Sequence, residues 1–164
     1  MSLKKYTASL TEKHRFGFAI ELIEKLLPIW NDFSKIKKNL EYIDTVVVMY
    51  HVVDKNIIER TIKLAKKWID NEFDHKEHQS LNSCFSDPIV ALQDLDWEIP
   101  ENIQLIFYSA YNLLIKLNGE TKTIFGDEQL HLVINQAIDS IFLSELMTEN
   151  ELREFMVERN APIN

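Results

Sequence analysis

Glycine, proline and cysteine are scarce in this sequence, and each scarcity excludes a class of structure or site. Three glycines and four prolines in 164 residues leave little material for tight hairpins or glycine-rich phosphate-binding loops. The single cysteine, Cys84, excludes an internal disulfide and is typical of a reducing compartment. No run approaches the roughly 20 apolar residues that span a bilayer. We therefore expect a helical, cytoplasmic protein that does not bind membranes.

Positive charge is scarce in only one half of the chain. The net charge is −8, but residues 1–82 hold 14 Lys and Arg against 12 Asp and Glu, whereas residues 83–164 hold 4 against 14. From Glu77 to Ile115 there is no Lys or Arg at all. Such an acidic surface repels nucleic acid and attracts a basic protein. The alternative is a solvated acidic surface that only keeps the protein soluble.

The stretch from Pro100 to Gly119 predicts a long buried helix. Pro100 suits a first helical turn, and Gly119 can adopt the left-handed conformation that ends a helix. The polar side chains form one strip, spaced by four residues: Gln104, Tyr108, Asn112 and Lys116. A helix that is apolar on most sides must be surrounded by others. We therefore expect an all-α fold, a single domain over residues 1–164 with about eight helices bundled around this central helix.

Two further stretches carry mixed signals. The run from Leu40 to Val53 is rich in β-branched valine from Val46 onwards, which favours a strand, but no partner strand is visible elsewhere in the sequence. We expect a buried helix there. The apolar period is lost over residues 71–86, which predicts a helix tail followed by a loop, and Asp87-Pro88 then has the residues of a helix start. Later in the chain, the motif that begins at Thr148 has the spacing of a capping box.

Two Glu-x-x-His motifs are the strongest signal for metal chemistry. Glu72 with His75, and Glu128 with His131, could each clasp one metal ion from one helix face, as in di-iron helical bundles. Both motifs lie near predicted helix ends, whereas di-iron ligands project from the middle of long helices. No nucleophile-elbow, P-loop or dinucleotide-binding motif occurs. We therefore expect no catalytic residue and no cofactor, and a metal-dependent helical enzyme is the alternative.

Carboxylates and aromatic rings are interleaved around the start of the central helix. They are Asp94, Asp96, Trp97, Glu98, Glu101, Tyr108 and Tyr111. Acids around exposed aromatic rings are typical of a surface that binds a basic protein. The alternative places Trp97 in the core and gives the acids helix-capping roles. The sequence favours the two interpretations equally.

Two apolar stretches resemble a known family. The first contains Phe18-Ala-x-x-Leu22, then Leu27-Pro28 followed by an aromatic residue and Phe33. The second is NQAIDSIF, residues 135–142. Both resemble stretches of the bacterial all-helical YjaG-like family. The resemblance implies an all-helical fold and no known catalytic residues.

Taken together, these features predict a non-enzymatic protein that binds a basic protein partner through its acidic second half. Small acidic helical proteins of this general kind occur among the immunity proteins of bacterial toxin systems. The most concrete form of the hypothesis is therefore an immunity protein that neutralises a basic bacterial toxin. A structural or regulatory homodimer is a further alternative. We expect no nucleic-acid partner.

Overall fold

The computed structural model describes residues 12–117 and 126–160, which form a mostly helical fold with one small antiparallel sheet. In chain order the elements are α1 (Glu12–Ser34), a 3-10 helix (Lys37–Leu40), β1 (Glu41–Asp44), β2 (Met49–Val52), α2 (Ile57–Ile69), α3 (His75–Gln93), α4 (Glu101–Lys116), α5 (Gly126–Leu143) and α6 (Glu149–Asn160). The prediction of a mostly helical fold is confirmed. The described residues hold six α-helices rather than about eight, and the sheet is an addition to the predicted fold.

Helix α4 is the buried helix at the centre of the fold, and it packs against α1, α2, α3 and α5. Phe107 lies in the middle of this helix and is fully buried. Its ring centroid is 4.9 Å from that of Phe85 in α3 and 5.2 Å from that of Trp97. Pro100 occupies the N-cap position, one residue before the helix, and the predicted terminator Gly119 lies outside the described residues.

Buried hydroxyl groups join α5 to α4. Ser109 Oγ donates a hydrogen bond to the carbonyl oxygen of Val133 at 2.8 Å, and Ser140 Oγ donates to the carbonyl oxygen of Asn102, also at 2.8 Å. Both serines are fully buried, so an unpaired hydroxyl there would be costly. These bonds fix how the two helices pack in the core.

The prediction that residues 40–53 form a buried helix is wrong, because residues 41–52 form a β-hairpin. β1 and β2 pair antiparallel, so the partner strand directly precedes the valines. The Asp44 carboxylate closes the turn, since its Oδ1 accepts hydrogen bonds from Val46 N at 2.8 Å and from Val47 N at 3.2 Å. Val48 has a φ of 51°, a left-handed conformation that is unusual for a β-branched residue.

The predicted helix tail and loop over residues 71–86, and the predicted helix start at Asp87-Pro88, are also wrong. Helix α3 begins at His75, after Asp74, whose side chain accepts a hydrogen bond from a backbone N–H three residues later at 3.1 Å. The first half of α3 lacks a strong apolar period because most of its side chains are exposed or half-buried. Pro88 is buried inside the helix.

The last helix begins at the predicted capping box. Glu151 Oε1 accepts a hydrogen bond from Thr148 N at 3.2 Å, and Thr148 Oγ1 accepts one from Glu151 N at 3.1 Å. The two side chains thus satisfy each other's backbone donors, as a capping box requires. Among the helices described, none has the length and apolar character needed to cross a membrane.

Candidate protein-binding surface

Exposed apolar side chains concentrate on the β-hairpin. Of the fifteen large hydrophobic residues exposed in the described structure, seven lie between Ile43 and Val52. Val46 is 83% exposed and Val48 is 79% exposed, at the tip of the hairpin. Single exposed apolar residues are common, but a cluster of this kind marks an interaction site. We call the outer face and the tip of this hairpin the hairpin surface, made up of Ile43, Val46, Val47, Val48, Tyr50 and Val52.

The two faces of the hairpin have different surroundings. Tyr42 lies opposite His51, with the ring centroids 5.0 Å apart, and Tyr42 also packs against Trp97 in the core at 6.0 Å. Because side chains alternate along a strand, Ile43 and Tyr50 project from the other face. Both of these residues are more than half exposed. One face is therefore bound to the bundle, and the other is presented to solvent.

Two side chains before α4 hold the hairpin in place. Asp96 accepts hydrogen bonds from Thr45 at the hairpin tip, with Oδ1 at 2.9 Å from Thr45 Oγ1 and Oδ2 at 3.3 Å from Thr45 N. At the base of the hairpin, Trp97 Nε1 donates to the carbonyl oxygen of Asn39 at 2.9 Å. The hairpin is therefore attached to the loop before α4 at both of its ends.

Exposed carboxylates lie next to Asp96 in the loop before α4, where the tip of the hairpin is attached. Asp94 and Glu98 are both exposed, and they lie on either side of Asp96 in the sequence. Residues 39–54 and residues 77–115, the two segments that meet at the Asp96–Thr45 contact, contain no Lys or Arg. No cationic side chain of these segments can neutralise the carboxylates. We call these carboxylates the acidic rim, made up of Asp44, Asp94, Asp96 and Glu98.

The buried hydroxyl of Tyr42 reports the same concentration of negative charge. Burial, and then the nearby carboxylates of Asp87, Asp44 and Asp96, raise the pKa of Tyr42 to about 12. Each of these influences disfavours a tyrosinate anion. The Tyr42 hydroxyl has no hydrogen-bond partner among the described residues. The acids of α3, the hairpin and the loop before α4 therefore act together on one place beneath the hairpin.

The structure separates the residues of the sequence-predicted surface into two groups. Asp94, Glu98 and Glu101 are exposed, and Glu101 lies in the first turn of α4, where a carboxylate also interacts favourably with the helix dipole. Asp96 is half-buried and bonded to the hairpin. Trp97 is only 2% exposed, so the expectation that it presents an aromatic ring to a partner is wrong. The core alternative is correct for this residue.

The two predicted tyrosines are also poor candidates for an exposed contact. Tyr108 is half-buried, and its burial raises its pKa. Tyr111 is half-buried with its ring centroid 5.6 Å from that of Phe85 in α3. The apolar part of the surface comes from the hairpin instead. A signal for it was present in the sequence, because Asp44 and Thr45 are turn-forming residues beside β-branched ones.

The residues of the metal hypothesis do not form a described site. Glu72 precedes α3 rather than lying in it, so the assumption that Glu72 and His75 share a helix face is wrong. His131 is half-buried in α5, and the side chain of Glu128 lies outside the described residues. Within residues 12–117 and 126–160, no group of three or more His, Cys, Asp or Glu side chains could hold a metal ion. A metal site that includes Glu128 stays a prediction.

No protein-family model, no curated protein and no solved structure matches this chain significantly. The resemblance to the YjaG-like family therefore stays a prediction. Function has to be argued from the chemistry of the site itself.

Proposed function

We propose that this chain is a non-enzymatic protein-binding protein, and that its hairpin surface and acidic rim receive a basic protein partner. The observation that carries the proposal is the exposed apolar hairpin with carboxylates beside it. Protein interfaces commonly combine an apolar centre with a polar, solvent-accessible rim. The hairpin surface supplies the first of these parts, and the acidic rim supplies the second.

The sign of the charge favours a basic partner over the other occupants of an apolar surface. A second copy of this chain would bring its own carboxylates towards Asp94 and Glu98, and like charges across an interface oppose association. Nucleic acid and anionic lipid would be repelled for the same reason. A protein with Lys or Arg around an apolar patch is instead attracted over a distance and neutralises the carboxylates on contact.

The most concrete form of the proposal is an immunity protein that neutralises a basic bacterial toxin in the cytoplasm. The analogy lies in the class of small acidic helical proteins, and the acidic rim suits such a partner. A toxin with a cationic surface would meet the exposed carboxylates first. It would then bury the valines at the hairpin tip.

The proposal can be tested by capturing the partner from a lysate of the host at low salt. The bait is the full chain in three forms: the wild type, the double variant Asp94→Lys/Glu98→Lys, and the control Glu158→Lys. Glu158 is exposed on α6, next to Arg159, which pairs with Glu21 in α1. Glu21 lies thirteen residues before the end of α1, so this region is roughly 20 Å along the helix from the end that leads to the hairpin.

We expect the wild type and Glu158→Lys to retain the same basic protein, and the double variant to lose it. Reversing two rim charges should weaken the purified complex at least tenfold, because each carboxylate then repels the cations that it attracted. Rising salt should weaken the wild-type complex. A captured protein that binds all three baits equally, at any salt concentration, would show that the acidic rim is not the binding site.

A further inference from the structure

We propose that the outer edge of β2 accepts an extended strand from the partner, which then continues the sheet of the hairpin. This inference rests on the proposed function and states how the partner is held. Within residues 12–117 and 126–160 the sheet has two strands, so each strand has one edge without a neighbouring strand among those residues. An exposed edge can pair with an extended segment of another protein through main-chain hydrogen bonds.

The register shows which peptide groups point outwards. Val53 N donates to the carbonyl oxygen of Leu40 at 2.8 Å, immediately before the first residues of the ladder. Hydrogen-bonded pairs and non-bonded pairs alternate along an antiparallel ladder. Ile43 and Tyr50 therefore form a non-bonded pair, and the peptide groups of Tyr50 and Val52 point away from β1. These are the groups that a third strand would use.

The two edges differ in how far the rest of the chain covers them. On β1, the N–H of Glu41 donates to the carbonyl oxygen of Lys38, and the N–H of Thr45, next to the strand, donates to Asp96. On β2, the backbone groups of Tyr50 and Val52 have no hydrogen-bond partner outside the hairpin within the described structure. On β1 the outward N–H groups on either side of Ile43 are thus already bonded within the described structure, so the β2 edge is the less covered of the two.

β2 also lacks the features that protect natural sheet edges. Its sequence, Met-Tyr-His-Val, has no proline and no lysine, and its pairing with β1 continues without a bulge. Tyr50 and Val52 are 55% and 49% exposed. Soluble proteins usually block an exposed apolar edge with charge, proline or irregular backbone. An unblocked edge that is held in place by Asp96 and Trp97 has the properties of an acceptor for another strand.

The chemistry of the surface specifies the segment that fits this edge. The side chains of the added strand alternate between the two faces of the sheet. Those on the outer face would lie beside Tyr50 and Val52 and should be apolar. The segment should also carry Lys or Arg where it passes the acidic rim. An acidic strand is disfavoured by charge. β2 of a second copy has no acidic residue, but it would bring the acidic rim of that copy towards this one, which charge also disfavours.

The probe for this inference is a peptide selected from a displayed library of short random sequences, with the full wild-type chain as the bait at low salt. We expect the enriched peptides to alternate apolar residues with others and to contain Lys or Arg. A synthetic copy of the best peptide is then titrated against protein variants. Methylation of single peptide nitrogens should weaken binding at every second position, because only alternate N–H groups of an added strand face β2.

The protein variants distinguish the contribution of the backbone N–H to peptide binding from that of the side chain. Val52→Ala and Val52→Pro both remove the valine side chain, but only proline removes the outward N–H. The matched pair on the other edge is Ile43→Ala and Ile43→Pro. We expect Val52→Pro to bind the peptide at least tenfold more weakly than Val52→Ala, and the two Ile43 variants to bind equally. The edge inference is overturned if Val52→Pro and Val52→Ala bind the peptide with equal affinity and the methylation series shows no alternation.

The same titrations distinguish failure of the edge inference from failure of the proposed function. If the edge tests fail but Asp94→Lys/Glu98→Lys still weakens the peptide at least tenfold, the acidic rim binds the peptide by another geometry. If no peptide is enriched, or if variants of neither the acidic rim nor the hairpin change the affinity for the best peptide, the proposed function fails as well. Dimerisation of the wild type that Val52→Pro abolishes would assign the edge to a second copy and overturn the inference.

Discussion

Replacing Asp96 with alanine would show whether this carboxylate positions the hairpin. Asp96 accepts two hydrogen bonds from Thr45 at the hairpin tip, although the two residues are 51 positions apart in the sequence. Without them, the Trp97–Asn39 bond still holds the base of the hairpin. We expect Asp96→Ala to leave the bundle folded and to loosen the hairpin.

The magnitude follows from the number and exposure of the bonds. A hydrogen bond contributes a net 0.5–1.5 kcal/mol in typical cases, and both bonds to Thr45 are at an exposed site. At the lower end of that range each bond contributes about 0.5 kcal/mol, so the pair should contribute about 1 kcal/mol. A loss of about 1 kcal/mol from the local opening free energy corresponds to a roughly fivefold larger opening equilibrium constant, and so to roughly fivefold faster amide exchange in the hairpin. It is a small part of the free energy of unfolding of a typical domain.

Native-state amide hydrogen exchange measures this effect directly. The amides of Tyr42 and His51 form a bonded pair in the ladder, so their exchange rates report hairpin opening. Asp94→Ala is the matched control, because Asp94 is exposed and its side chain accepts no hydrogen bond from the described residues. Equal exchange rates for these two amides in Asp96→Ala and Asp94→Ala would refute the anchoring role of Asp96.

Three further predictions concern the stability of the fold. Val48→Gly should raise the free energy of unfolding by about 1 kcal/mol, because glycine suits the φ of 51°, whereas Val47→Gly should lower it. Equal changes for the two variants in denaturant titrations would contradict the strain at Val48. Between pH 10 and pH 12, the free energy of unfolding of the wild type should fall by about 2 kcal/mol more than that of Tyr42→Phe. The pKa of Tyr42 is about 12 in the folded state and 10 in the unfolded state. The stability that this difference provides is therefore complete below pH 10 and is lost as the pH rises through 12. Parallel pH profiles for the two proteins would exclude this contribution. Phe107→Ala should lower the free energy of unfolding by about 3–5 kcal/mol, because it removes a fully buried ring. Val157→Ala, at an exposed site, should change it by less than about 0.5 kcal/mol. A similarly small change for Phe107→Ala would contradict the central position of α4.

The buried central helix could be predicted because its sequence signal is local and complete. Apolar side chains cover most of the circumference between Pro100 and Gly119, and only a buried helix suits that pattern. The observed helix, Glu101–Lys116, falls within those bounds. The sequence predicts that other helices surround this one, but not which helices they are, because apolar periodicity does not specify which helices pack together.

The hairpin could not be predicted because the valine run has no period that distinguishes strand from helix. The partner strand lies within the same stretch, residues 40–53, for which the sequence predicts a helix. The partner, Glu41–Asp44, is separated from β2 by four residues, and the Asp44 side chain closes the turn without any glycine. The acidic half of the candidate surface could therefore be predicted from the sequence, whereas the apolar half had only the turn-forming residues Asp44 and Thr45 as a signal.

The error over α3 has a different physical cause. Half of this helix lies on the surface, where apolar residues are not needed and the helical period fades. Asp87-Pro88 then resembles a helix start, although the helix begins after Asp74. Two capping-type aspartates compete in this stretch, and the sequence does not say which one is used. The structure assigns the cap to Asp74.

The measurement that tests the central claim most directly is a hydrogen-exchange footprint of the full chain with and without the captured partner. The account predicts slower exchange in two segments on binding, the hairpin over residues 41–52 and the loop over residues 94–98. The amides of Tyr50 and Val52 should show the largest change. Slower exchange confined to α5 and α6, with the hairpin exchanging as fast as in the free protein, would contradict the account.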